Sequence, residues 1–317
     1  MRYLFFDIEC AGVYKDVAKI CAFGYCLTDA SFRVLEKRDL LINPQGRFHL
    51  TDRKGQNGLV LPYKYEDFKS YPTFLQYADE ITALLQAEDT LVFGHAVLND
   101  VKYLNLESKR FNLPSFAFAF WDTQFLYMHR INDFSRQFGL GAIVNDLQIE
   151  FVAHRAVDDA YATMKVAEAL CKAENVTLEE LIKKYGVTAG RIENYEITPP
   201  TSQAFIRYKE DRERAKEKRE KARADFHVFA DREKRKRNKD GKLKNKQVCF
   251  SHGLEILPHA TVLLKKAFEQ GAFFTYRAEE CDVYVAMENE NGARLQSAKN
   301  KKARIVSVEE FTAFLES

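Results

Sequence analysis

The chain opens on an apolar run, Tyr3-Leu4-Phe5-Phe6, that passes into Asp7-Ile8-Glu9. Such a run suits a buried strand, and strand positions two apart face the same side. Asp7 and Glu9 therefore project together from one face. Residues 20–28 and 32–42, joined at Asp29-Ala30, read as two further strands of a meander, which Asn43-Pro44 stops. A polar stretch with Gly46, Gly55 and Gly58 then crosses to residues 72–86, where Phe74, Tyr77, Ala78, Ile81, Leu84 and Leu85 have helical spacing. Next come a strand at 90–93, a helix carrying Asp100, an aromatic strand at 116–123, and helices at 140–147 and 156–172. Strands first and then alternating helices and strands predict an α/β domain with a mixed central sheet.

Residues 176–200 read as a helical extension ending at Pro199-Pro200, after which Thr201-Ser202 can cap a long polar helix. Within that helix Glu210 and Arg214, Glu217 and Lys221 stand four apart, the spacing of a solvated helix. The pattern starts afresh near Lys246: strand 248–250, helix 260–270, strands 273–276 and 283–286, helix 293–302, strand 305–306 and helix 308–315. The reading divides the chain into a domain over 1–185, a helical, basic linker over 186–245 and a small α/β domain over 246–317.

Charge sharpens that division. The chain has a net charge of +2, yet residues 207–246 hold 18 Lys and Arg against 9 Asp and Glu. The two folded parts are thus mildly acidic, and the surplus between them suits a polyanion. Its densest piece is Lys234-Arg235-Lys236-Arg237-Asn238-Lys239, the candidate for phosphate contact. Six cysteines (Cys10, Cys21, Cys26, Cys171, Cys249, Cys281) are scattered without a C-x-x-C pair, which argues against structural zinc and for a reducing, cytoplasmic setting. No apolar run approaches membrane-spanning length.

Two anions as close as Asp7 and Glu9 repel, unless one takes a proton or a cation sits between them. Hard oxygen ligands at a strand end favour the cation. Further acids are available at Asp100, in Gly94-His95-Ala96-Val97-Leu98-Asn99-Asp100, and at Asp158 and Asp159, in His154-Arg155-Ala156-Val157-Asp158-Asp159. Spacing alone leaves Asp158 and Asp159 open.

Asp-x-Glu, then a helix-borne Asp, then His with an Asp five residues later: over residues 1–175 this order resembles the DEDDh family of 3′→5′ exonucleases. The resemblance implies a ribonuclease-H-like fold and two Mg²⁺ or Mn²⁺ ions held by Asp7, Glu9, Asp100 and Asp159. His154 is then the general base. It favours Asp159 over Asp158 and places a terminal-nucleotide pocket around Ile8, Cys10 and Ala11. Cys10 departs from the pattern, which usually has Thr there. The C-terminal part is similar to a BRCT domain, most clearly at Ser297–Ser307 and Glu309-Glu310-Phe311. That resemblance implies a module for DNA ends or phosphorylated partners in replication and repair. Ser251 would hold phosphate together with Lys299 or Lys302, although His252 stands where a Gly is usual and Gly253 comes one later. The expected activity is metal-dependent 3′→5′ hydrolysis of DNA. The alternatives are a 3′ exoribonuclease of RNA processing and a BRCT scaffold with a vestigial nuclease site.

Overall fold

The computed structural model describes residues 1–46, 65–149 and 155–317, which form two compact units, Met1–Tyr208 and Lys209–Ser317. His154 and the glycines Gly55 and Gly58 of the polar crossing lie outside the described residues.

The first unit opens with a meander of β1 (Arg2–Tyr14), β2 (Val17–Asp29) and β3 (Val34–Leu41). After α1 (Tyr65–Phe68) and α2 (Phe74–Leu85) come β4 (Thr90–Gly94), α3 (Leu98–Arg110), β5 (Phe118–Asp122), α4 (Thr123–Ile131), α5 (Leu140–Asp146), α6 (Ala156–Glu174) and α7 (Leu178–Tyr185). The short strands β6 (Val187–Thr188), β7 (Gly190–Glu193), β8 (Glu196–Thr198) and β9 (Thr201–Ser202) complete it. Seven strands share one sheet in the order β3-β2-β1-β4-β5-β7-β8, parallel at β1-β4-β5 and antiparallel elsewhere.

The two-residue period of β1 sets the layers. Tyr3 and Phe5 enter the core beneath α4 to α7, together with Phe93, Leu126 and Met164. Leu4, Phe6 and Ile8 enter the opposite core with Phe74, Ile81, Val101 and Leu104 of α2 and α3. Asp7 and Glu9 are therefore on the Tyr3 face, which α6 covers.

Two expectations for the first unit need correction. Residues 176–200 are helical only through α7, which Gly186 closes in the left-handed region at φ 59°. The chain then returns to the sheet as β7 and β8, where Gly190 leaves room for the Phe120 ring that any Cβ would strike at 2.5 Å. Residues 187–202 thus belong to the first unit rather than to a linker. The second correction is an added helix, α4, whose start Asp122 caps by accepting a hydrogen bond from the Gln124 N–H at 2.9 Å.

Ser202 accepts from the Phe205 N–H at 3.1 Å and so caps the long helix α8 (Gln203–Glu233). The second unit contains β10 (Gln247–Phe250), α9 (His252–Glu255), α10 (Ala260–Glu269), β11 (Phe273–Phe274), β12 (Val283–Ala286), α11 (Ala293–Asn300), β13 (Arg304–Ser307) and α12 (Val308–Glu316). Its four strands are all parallel, in the order β11-β10-β12-β13. One face packs against α10 and α12, and the other buries Cys249, Tyr284, Leu295 and Ala298 under α11. Phe226 and Ala230 of α8, with Leu243, are buried in the first of these cores, so this unit begins well before residue 246.

Candidate active site

Three elements deliver the acids. Ligand oxygens of Asp7, Glu9 and Asp159 lie within 4.8 Å of one another. Asp7 and Glu9 come from β1, which bulges at Cys10 just beyond them, a device that re-aims side chains at strand ends. Asp159 comes from the first turn of α6. Asp100 arrives from α3, on the other side of the sheet, and accepts a hydrogen bond from the Ile8 N–H at 3.1 Å. The backbone between the two strand acids is therefore fixed by the fourth carboxylate.

Asp159 can reach Asp7 because of Gly24. Asp7 pairs with Gly24 on β2, and Gly24 pairs with Asp39 on β3, giving one row across three strands. A Cβ on Gly24 would stand 2.0 Å from the Ala156 carbonyl carbon and the Val157 nitrogen. The missing side chain is the notch into which the start of α6 settles. Asp39 at the end of the row lies 3.5 Å from the Arg155 guanidinium, which anchors the same helix start.

The structure separates the two candidate acids of α6. Asp158 turns to Lys37, 3.1 Å away, and to Arg155 at 3.9 Å, while Asp159 joins the cluster.

Electrostatics carry the mark of crowding. Asp7 is held well above the usual carboxylate range, by burial first and then by Asp100, Asp159, Glu9 and Asp39. Glu9 is pushed up to about 7 by burial, Asp159 and Asp39. Burial also raises Asp100, against the pull of the Ile8 N–H. Carboxylates that raise one another in this way are those a cation would relieve, and an all-oxygen donor set suits Mg²⁺ or Mn²⁺ better than zinc.

A support layer was not legible beforehand. Half-buried Asp122 accepts from the Ala96 N–H at 3.0 Å and is itself pushed up to about 6, chiefly by desolvation. It holds Ala96 in the left-handed region, φ 51°, one turn ahead of Asp100. His95 is engaged on both ring nitrogens, by Thr123 Oγ1 at 3.1 Å and by the Phe138 carbonyl at 2.9 Å. Burial lowers its pKa to about 4, so it is a neutral structural group. Nothing in the sequence marked Asp39 or Asp122, whereas an isolated glycine inside a strand, as at Gly24, is a signal of close approach.

Of the pocket residues, Ile8 and Ala11 are buried and Cys10 is half-buried. In the basic cluster Lys234 bonds Asp231 at 2.7 Å and Lys236 bonds Glu233 at 2.9 Å. Arg237 donates to the Gly271 carbonyl at 3.0 Å and stacks on Phe273, while Arg235 and Lys239 are exposed. In the second unit Ser251 is buried and caps α9 by accepting from the Leu254 N–H at 3.1 Å. Lys299 and Lys302 are exposed, and none of the described hydrogen bonds joins either to Ser251.

The mixed sheet brings carboxylates from β1, α3 and α6 to one strand end, a cluster that could hold a divalent ion. The RNase T exonuclease family model matches residues 4–167, and the chain belongs to that family. No curated protein matches the chain. Among solved structures, a full-length 3′-exonuclease aligns at 12% identity over 64% of this chain and 91% of its own, with a TM-score of 0.49. A 3′-exonuclease described as recognising a histone mRNA stem-loop aligns at 11% over 64% and 71%, TM-score 0.47. Exonuclease I of E. coli, bound to a dA16 oligonucleotide, aligns at 17% over 58% and 42%, TM-score 0.42.

Proposed function

We propose that this chain is a divalent-metal-dependent 3′→5′ exonuclease that hydrolyses phosphodiester bonds at nucleic-acid 3′ ends, those of DNA above all. The observation that carries the reading is the convergence of Asp7, Glu9 and Asp159 within 4.8 Å, with the Asp100 carboxylate on the Ile8 backbone between the strand acids. Asp7, Glu9, Asp100 and Asp159 are the residues that would hold the metal. When bound there, Mg²⁺ or Mn²⁺ supplies a nucleophilic water at neutral pH and neutralises charge on the attacking and leaving oxygens. His154 would serve as the general base that takes the proton of the attacking water, a task an unperturbed imidazole pKa of about 6.5 fits. The backbone around Ile8 to Ala11 seats the terminal nucleotide, and Asp122, Asp39 and Gly24 hold the acids in place from behind.

The second unit, with its four parallel strands in the order β11-β10-β12-β13 and helices on both faces, supports a BRCT-like module. Its role is to bring the nuclease to DNA ends or to a partner in replication and repair. Arg235 and Lys239 of the preceding cluster contribute phosphate contacts, and the free thiols of all six cysteines accord with a cytoplasmic site of action. The test is a side-by-side digestion of 5′-labelled DNA and RNA strands with Mg²⁺ or Mn²⁺. Shortening of the label-bearing strand one nucleotide at a time supports the polarity. Release of the labelled 5′ nucleotide first would overturn it.

A further inference from the structure

Ahead of the residues that α8 buries near its end, the helix is charged, and the charge is sorted by side. Positions three and four apart share a helix face, and Lys209, Arg212, Lys216 and Arg219 follow one another at that spacing. All four are exposed. The positions one turn from Arg212 hold Tyr208, Lys209, Ala215 and Lys216, and those one turn from Arg219 hold Ala215, Lys216, Ala222 and Arg223. Neither arginine has an acid on its own face, and neither enters an ion pair among the described residues. The acids of this stretch serve other cations: Glu210, Asp211 and Glu217 lie one turn from Arg214, and Glu217 and Asp225 lie one turn from Lys221. Arg214 is bonded to Asp211 at 2.6 Å, whereas Lys216 only approaches Glu213, at 3.4 Å.

A helix that only spans water gains from opposite charges one turn apart, and like charges at that spacing destabilise it. The row from Lys209 to Arg219 works against the helix that carries it, which marks it as a surface for an anion from outside. At 1.5 Å per residue the four cations cover about 15 Å. One strand of a duplex presents a phosphate about every 3.4 Å of its axis, so the row can meet about four phosphates one for one. No aromatic residue stands between Lys209 and Asp225, whereas single strands are held in large part by bases stacked on rings. We infer that this face of α8 follows the phosphate backbone of a nucleic-acid duplex, independently of sequence. The paired region behind a 3′ end is then part of the substrate, held by the second unit while the terminal nucleotide is removed by the first.

The link to degradation rests on the exonuclease reading, and the experiment keeps the two apart. Anisotropy of a dye-labelled blunt DNA duplex, and of one of its strands alone, is measured with the full-length protein in EDTA over a range of salt. Lys209→Gln, Arg212→Gln, Lys216→Gln and Arg219→Gln are combined in one variant, since Gln keeps helix propensity. It should flatten the slope of log affinity against log salt on the duplex by about 3–4, at about 0.9 per lost phosphate contact, and weaken duplex binding at least tenfold at low salt. A second variant, Arg207→Gln, Arg214→Gln, Lys218→Gln and Lys221→Gln, removes the same charge from the opposite side of α8 and should change the slope by less than about 1. Circular dichroism checks that the helix is intact in both. Equal losses in the two variants would mean that bulk charge is at work, and no loss in the first would mean a solvated rod. Either result overturns the inference, as does a wild type that binds the single strand as tightly as the duplex. With Mn²⁺ and a duplex carrying a recessed 3′ end, the first variant should raise KM about tenfold and leave kcat unchanged. Failure of the wild type to shorten any strand would instead overturn the exonuclease reading, and the binding data would still decide the role of this face.

Discussion

At the scale of single residues, Asp7 gathers the site's energetics: it is half-buried among like charges, and the upward direction of its pKa means the folded state holds a proton that the unfolded state releases. Glu9, raised to about 7, adds to this. For carboxyls raised by folding, stability is fully present below the ordinary carboxylate range and is lost as pH rises toward the folded value. The metal-free protein should therefore melt lower at pH 7.5 than at pH 5.5, and added Mn²⁺ should restore the loss at pH 7.5. Thermal scans across that grid check it, and a melting temperature indifferent to the ion at pH 7.5 would count against metal binding. Asp7→Ala should remove cleavage by at least a hundredfold, about 2.7 kcal/mol in the barrier, while leaving the metal-free fold as stable as before or more so. Residual activity within tenfold of wild type would rule out Asp7 as a ligand. The strand acids were legible because a two-residue period fixes a shared face, and Asp100 because it opens an apolar helix. Asp39 was not legible, since an acid in the charged run Glu36-Lys37-Arg38-Asp39 reads as solvated surface, and only the register across β2 brings it to the site.

Among elements, the seating of α6 on β2 decides whether the site exists. Gly24→Ala places a methyl group against backbone atoms of α6, which no rotamer change can relieve. The expected cost is about 1–3 kcal/mol in stability, with a larger proportional loss in kcat, because Asp159 moves with the helix. Chemical denaturation and steady-state kinetics on the same preparation measure both, and a variant with normal kcat would show that α6 is positioned by other contacts. The main strands and helices follow from hydrophobic period, but α4 escaped it. The apolar stretch from Phe116 to Trp121 is followed after only Asp122-Thr123-Gln124 by Phe125-Leu126-Tyr127-Met128, a run too short to show a helical period of its own. Strands β6 to β9 escaped it for the opposite reason, since two to four residues are too few to show a period.

For the whole molecule, the unit boundaries differ from the compositional ones, and truncations test them. A fragment ending near Lys184 keeps all five residues assigned to catalysis but strips β7 and β8 from β5, leaving an unpaired sheet edge over Phe118 to Phe120. It should be less stable and more prone to aggregate than a fragment ending at Tyr208. Equal melting temperatures for the two would show that the added strands are dispensable. Similarly, 209–317 should fold on its own, whereas 246–317 loses Phe226, Ala230 and Leu243 from its core and should show a reduced melting temperature or none. Charge composition misplaced these limits because α8 is highly polar over most of its length and yet buries two apolar side chains, Phe226 and Ala230, near its end.

The acids also reach the site from opposite ends of the first unit, and this sets a timetable for synthesis. About 150 residues separate Glu9 from Asp159, so at roughly 5–20 residues per second a nascent chain carries Asp7 and Glu9 for about 8–30 s before α6 is made. Throughout that interval the ligand set is incomplete and the notch at Gly24 is empty. A ribosome-bound chain arrested before α6 should thus be inert toward the nucleic acid around it, and hydrolysis can begin only once α6 has been made and has settled on β2.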